Sequence, residues 1–246
     1  MPTLLLLLFA LDASATPAHT RSAKDILGDY QKAIGSESSW KHHRSVTIKR
    51  EITIPAQRFT GTETQRIAKG GRLISDSMLP GIGAFRMATN GKVAWSEDPI
   101  NGLRILKGAE AEDLALAAVW NPEWRLQKLY KSATVVPPPP EANGAALECI
   151  EFGKAEGQAV TLCFDATTHL RVLEKGMKSS PGGDMPYVSR YSDWRKVDGV
   201  WVWHQEELVV GPITMKAKII SLRFDAPIPP KVFQLPKPTK KPATKK

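Results

Sequence analysis

The residue types best suited to acid–base, nucleophilic or metal chemistry are scattered along this chain, and their spacing assembles no centre. His42 and His43 are adjacent and cannot share a helix face, while His169 and His204 stand alone on predicted strands. No H-E-x-x-H occurs, and no spacing fits a zinc site. Serines are plentiful, but none sits in the G-x-S-x-G turn that presents a nucleophile. Gly81-Ile82-Gly83 is too short and isolated for a nucleotide fingerprint, and Gly70-Gly71 reads as a turn. Glu110, Glu112 and Asp113 read most simply as the acidic first turn of a helix, where carboxylates meet the positive end of the dipole. The pattern points away from an enzyme and implies no metal or cofactor.

Cys149 and Cys163 offer a different chemistry. They lie in LECIEFGKAEGQAVTLCFD, two strands around a glycine-containing turn. A three-residue loop, Ala155-Glu156-Gly157 with Gly157 left-handed, pairs Phe152 with Val160, Ile150 with Leu162, and Cys149 with Cys163. Directly opposed cysteines on antiparallel strands are within disulfide range. A two-residue turn at Glu156-Gly157 shifts the register by one and puts the thiols on opposite faces. There is no C-x-x-C and no helix N-terminus beside either thiol, so a redox role is not indicated.

The two ends bound the compartment. Leu4 to Leu11 is an apolar run too short to span a bilayer, and Ala13-Ser14-Ala15 follows as a cleavage signal. Residues 1–15 thus read as a signal peptide, with cleavage after Ala18 as the alternative, although the usual basic start is missing. No cysteine lies there to accept a lipid. The expected mature product is a soluble, exported protein, most simply periplasmic and monomeric. Residues 237–246, KPTKKPATKK, read as a disordered lysine-rich tail. The formal charge of the chain is +9; losing Asp12 with the leader leaves +10, and losing the five tail lysines leaves +5. Half of the basic character therefore belongs to the tail, and the folded part mixes both signs. That is not the clustered basic face of a nucleic-acid reader.

The elements between the ends are mostly strands. Ser22 to Gly35 reads as a capped helix with Ile26, Leu27, Tyr30 and Ile34 as its apolar stripe. A shorter helix, residues 37–42, is capped by Ser36 and anchored by Trp40. Alternating strands follow at 45–54, 58–68 and 72–79. A hairpin of 84–89 with 92–97 turns at Asn90-Gly91, setting Arg86 opposite Trp95 and Met87 opposite Ala94. Residues 109–119 are helical by propensity, Asn121-Pro122 opens a second helix over 123–131, and Pro137 to Pro140 is a stiff spacer. The cysteine hairpin and a strand over 170–177 come next. The chain closes in a meander from Tyr187 to Phe224, with turns at Asp198-Gly199 and Gly211-Pro212 and Trp194 opposite Trp203. Alternation of this kind predicts an α+β, mainly antiparallel protein with one two-faced sheet, and residues 22–236 read as one domain.

Several stretches together resemble the periplasmic outer-membrane lipoprotein carrier (LolA-like) superfamily. They are the helix ending in Ala33-Ile34-Gly35, Leu79-Pro80-Gly81-Ile82-Gly83, Asn90 to Trp95, and Asp98-Pro99-Ile100-Asn101-Gly102. Tyr191-Ser192-Asp193-Trp194 leading into Asp198-Gly199-Val200-Trp201, Phe224 to Ile228 and Phe233 to Pro236 complete the likeness. The resemblance implies a single curved half-barrel sheet partly covered by helices. It also implies non-enzymatic carriage of lipid or acylated lipoprotein between membrane-bound donor and acceptor proteins. An envelope sensor or structural module that binds a protein partner is the alternative. Carriers of the superfamily hold their cover with an arginine, and no arginine of this chain aligns with it from sequence. Phe85, Met87, Trp95, Leu114, Trp120, Trp124, Trp201 and Trp203 are the candidates for cavity lining or cover, each with ordinary core packing as its rival reading. Which face is concave stays open, and with it whether Trp201 and Trp203 line the cradle or hold its back.

Overall fold

The computed structural model describes residues 21–180 and 182–236; the expected leader and tail lie outside them. Two runs of strands build one sheet. The first is β1 (Ser45–Ile54), β2 (Phe59–Ala68), β3 (Arg72–Leu79), β4 (Gly83–Asn90), β5 (Ala94–Asp98) and β6 (Gly102–Ile105). The second is β7 (Ser132–Val136), β8 (Leu147–Gly153), β9 (Val160–Asp165), β10 (Arg171–Lys178), β11 (Met185–Val197), β12 (Val200–Val210) and β13 (Ile213–Phe224). Within each run a strand pairs antiparallel with its chain neighbour, and the runs join where β1 pairs with β13. The product is a 13-stranded open sheet with β6 and β7 at its edges, the mainly antiparallel architecture expected from the alternation.

Among the described residues four α-helices accompany it: α1 (Ala23–Ala33), α2 (Glu37–His42), α3 (Gly108–Ala117) and α4 (Leu126–Leu129). A capping box starts α1: Ser22 accepts from the Asp25 amide while the Asp25 carboxylate accepts from the Ser22 amide. Its buried stripe, Ile26, Leu27, Tyr30 and Ile34, packs on Ile150, Phe152, Val160, Leu162 and Phe164 of β8 and β9. Ser36 caps α2, whose Trp40 meets Trp120 and Phe224 edge-on.

Two local expectations need correction. Met87 stands opposite Ser96 and Ala88 opposite Trp95, two residues away from a two-residue Asn-Gly hairpin. Only Gly91 of that pair has positive φ, so the type I′ turn is excluded; instead the Asn90 side chain accepts from the amides of Lys92 and Val93 in a longer loop. Residues 123–131 do not form one helix. Asn121 is left-handed, Pro122–Trp124 is a 3-10 turn, and only Leu126–Leu129 is α-helical before the chain extends into β7. The edge strands β6 and β7 are additions that sequence reading passed over.

The chain between those edges must travel from one side of the sheet to the other, and it does so across one face. Leu114 of α3 packs with Leu73 and Leu106, Trp120 with Val46, Ile48 and Ile219, and Leu126 with the α1 cluster. The same helix α3 reaches both flanks. Glu110 holds Arg104 on β6, while Asp113 holds Lys154 beside β8. In a flat sheet β6 and β8 would lie roughly 50 Å apart at 4.8 Å per strand. A ten-residue helix is only about 15 Å long. The sheet therefore curls around the crossing segment, and that segment marks the concave face. The opposite face carries two clusters of its own. Trp95, Ala88 and Ile74 are covered by Phe233, and the disulfide-bonded Cys149 and Cys163 pack with Leu173.

Candidate functional site

Strand alternation delivers two kinds of side chain to the concave face. Near the ends that carry α2, β1 contributes Val46 and Ile48, β2 Ile67, and β13 Leu222 and Phe224. With Trp40 and Trp120 they form an apolar end. One step further along β1 and β2 the residues become polar, while β13 keeps the apolar Ile219 beside Arg50. Ser75 donates to Glu63, Glu63 pairs with Arg50 at 2.9 Å, and beyond β13 Glu206 accepts from Ser189 at 3.0 Å. Glu174, opposite Ser189, accepts from Tyr187 at 2.7 Å and from Tyr191 at 3.1 Å. This polar row crosses the sheet from β3 to β10.

Between the sheet and the crossing segment lies a cavity of about 470 Å³. Its wall includes the apolar end, Arg50, Arg171, Glu123, Glu174 and Glu206, and the aromatic rings of Tyr191, Trp194, Trp201 and Trp203. The volume falls within the range of small-molecule sites, about 300–1,000 Å³. Trp203 and Tyr191 pack 5.0 Å apart; Arg50 lies over the Trp203 ring at 4.9 Å, and Arg171 over Tyr191 at 4.8 Å.

Arg171 joins the crossing segment to the sheet, with Glu123 at 3.6 Å and Glu174 at 3.8 Å. Burial opposes its charge, but the two carboxylates and the Tyr30 and Tyr191 phenols beside it hold its pKa well above the usual arginine range. Burial raises the Tyr191 phenol, and Glu174 adds to the shift. Burial also raises Glu206, against the pull of Arg50 and the hydrogen bond from Ser189. The Glu110, Glu112 and Asp113 carboxylates do more than complement a helix dipole. Glu110 grips Arg104 through two 2.7 Å bonds, Asp113 grips Lys154 at 2.7 Å, and Glu112 accepts from the amides of Ala155 and Glu156. Together they fasten α3 at both flanks.

Of the residues singled out as lining or cover, Trp120, Trp201 and Trp203 line the cavity. Trp95 does not: it is wholly buried on the convex face, its indole N–H directed at the Phe233 carbonyl at 3.4 Å. Leu114 holds α3 against Leu73 and Leu106, and Trp124 packs against the α1 cluster. Phe85 and Met87 share the concave face with Ser77 and Ser75 but stand outside the cavity, Met87 being 44% exposed. Sequence reading passed over the polar row, although it had a signal. Arg50 interrupts Val46, Ile48, Ile52 and Ile54 on the inward face of β1, and Glu206 precedes Leu208 and Val210 on β12. The histidines gather no centre: His43 pairs with Asp225 at 2.7 Å, and His204 faces the Val202 carbonyl. Among the described residues no group of His, Cys, Asp and Glu is placed to hold a metal ion, and no helix is long and apolar enough to cross a membrane.

No protein-family model matches the chain, and no curated protein matches its sequence. Solved structures do match its fold. A LolA superfamily protein from Nitrosomonas europaea superposes with a TM-score of 0.54 at 12% identity, over 87% of this chain and 98% of that one. A domain from Vibrio parahaemolyticus described as an outer membrane lipoprotein-sorting protein gives 0.52 at 12% identity, over 86% and 97%. A DUF1329 family protein from Desulfovibrio piger gives 0.51, also at 12% identity and over 86% and 97%. At this identity the likeness is one of architecture, and the chain has the LolA-like fold.

Proposed function

We propose that this protein is a non-enzymatic carrier that shelters the acyl chain of a lipid or lipoprotein in the concave cavity and passes it on within the cell envelope. The observation that carries the reading is the cavity of about 470 Å³, apolar and aromatic at one end, covered by a segment tied down through side chains. Burying a methylene group is favourable by about 0.8 kcal/mol, so an acyl chain held there needs no further anchor to bind. The Cys149–Cys163 bond supports an oxidising compartment, and the leader-like start of the sequence points the same way. The lipoprotein-sorting description of the Vibrio parahaemolyticus domain supports the same reading by fold alone.

The test is the cargo. Protein purified from a bacterial periplasm is expected to carry acyl species detectable by native mass spectrometry and by solvent extraction. A ligand-free protein into which fluorescent fatty-acid probes also fail to partition would overturn the carrier reading and leave the partner-binding module in its place.

A further inference from the structure

Five buried polar atoms with no hydrogen-bond partner among the described residues belong to residues that line this one cavity. Arg50 Nε, Arg171 Nε and Trp120 Nε1 are donors; Asn121 Oδ1 and Glu123 Oε2 are acceptors. Trp120 and Asn121 are themselves more than nine-tenths buried, at 8% and 3% exposure. Buried polar groups in folded proteins nearly always find partners, and a hydrocarbon occupant satisfies none of these. Glu206 adds a charge to the same wall. Its carboxylate accepts from Ser189, and among the described residues it has no Lys or Arg within ion-pair distance, because Arg50 is engaged by Glu63. Tyr191 stands opposite it and packs on Trp203, and these rings already carry Arg171 and Arg50 over their faces, so the carboxylate itself is what an incoming cation would meet.

Resting on the carrier reading, we propose that the polar row selects a zwitterionic head group: an amphiphile whose ammonium meets Glu206 and the free oxygen of Glu123, and whose phosphate meets Arg50, Arg171 and Trp120. The acyl chain then lies in the apolar end against Val46, Ile48 and Phe224. A purely anionic head leaves Glu206 without a counter-charge in a site that already holds Glu123 and Glu174. A neutral head leaves the Arg50 and Arg171 side chains of the cavity wall without an anion to meet. The ligand class is therefore narrower than acyl chains in general.

Isothermal titration of the purified chain with lauroyl lysophosphatidylethanolamine, lauroyl lysophosphatidylglycerol and monolauroylglycerol, each kept monomeric, tests this. The ethanolamine lipid is expected to bind at least about tenfold more tightly than the other two, a difference of about 1.4 kcal/mol. Glu206→Gln should reduce the preference over the phosphoglycerol lipid to near equality, with urea unfolding of the variant reporting separately that it folds. Trp120→Phe keeps an aromatic ring, removes the N–H, and should weaken both phospholipids relative to monolauroylglycerol. Equal affinity for all three lipids, or tightest binding of the anionic one, overturns the head-group assignment and leaves the carrier standing. Failure of all three to bind removes both.

Discussion

Arg171 sits where a carrier would be expected to be greasy, with its guanidinium between Glu123 of the crossing segment and Glu174 of the sheet. All three side chains are largely buried, so each charge depends on the others for the solvation it has lost. Arg171→Met leaves two largely buried carboxylates without their shared cation and is expected to lower the unfolding free energy by about 3–5 kcal/mol in urea denaturation. A loss below about 1 kcal/mol would show that the cluster is open to water, as surface pairs are. Glu206 behaves in the opposite sense. Its folded pKa is raised, first by burial, so the folded chain keeps a proton that the unfolded chain has already released. Stability therefore falls as pH rises from the unfolded value to the folded one, and the full penalty stands above both. Glu206→Gln should be more stable than the parent at neutral pH, with its advantage shrinking as pH falls through the ordinary carboxylate range. A variant less stable than the parent at neutral pH would mean that a cation stabilises this carboxylate in the free protein. At this scale the sequence was readable only by its interruptions. Arg50 breaks an apolar row on β1, but nothing local says that Arg171 and Glu123, far apart in the chain, meet.

Hairpins were the most legible elements, because turn chemistry is local. Asp198 and Gly199 both adopt positive φ, and the register that sets Val197 opposite Val200 and Trp194 opposite Trp203 follows. The cysteine hairpin likewise has Gly157 left-handed and Cys149 opposite Cys163, bonded, with Cα atoms 4.1 Å apart. The bond lies on the convex face with Leu173, Val136 and Val188, away from the cavity. Replacing both cysteines by alanine should therefore cost stability without altering amphiphile binding. Closing a loop of about 15 residues is worth about 3 kcal/mol in the chain-entropy model. Urea unfolding of the double variant should match that of the parent in reductant; a parent indifferent to reductant would show that the bond contributes nothing. Where turn chemistry was ambiguous, so was the reading. Asn90-Gly91 satisfies a hairpin rule, yet the Asn90 side chain prefers to close a longer loop, and the register slides by two. A slide of two keeps every residue on its face. Residues 123–131 failed for a different reason. Helix propensity favours them, but Arg125 leaves helical geometry after the 3-10 turn, and Tyr130 is already extended so that the Lys131 amide can bond the Gly153 carbonyl ahead of the β7–β8 ladder.

For the molecule as a whole, the decisive contact is the one no local signal encodes. β1 and β13 lie at opposite ends of the chain and in the middle of the sheet, so the two runs of strands become one surface only when the last strand docks on the first. That arrangement puts β6 and β7 at the two edges, and the segment joining them has no path except across a face. The cover is thus a consequence of topology, and its fastenings are side chains rather than strand pairing: Arg104 with Glu110, Lys154 with Asp113, Arg171 with Glu123. Ionic ties of this kind can be released singly, whereas the central strands share long backbone ladders. Amide hydrogen exchange should accordingly be faster over residues 108–129 than over β1 and β13, even where α3 is buried. Saturating lauroyl lysophosphatidylethanolamine should slow exchange across 108–129, because an occupant seated beneath the cover stabilises its closed form by mass action. The convex-face cluster around Trp95 and Phe233 should be unaffected. Uniform protection over 108–129 without ligand would mean that the cover is a fixed wall. Protection appearing instead at Trp95 would place the binding surface on the other side of the sheet.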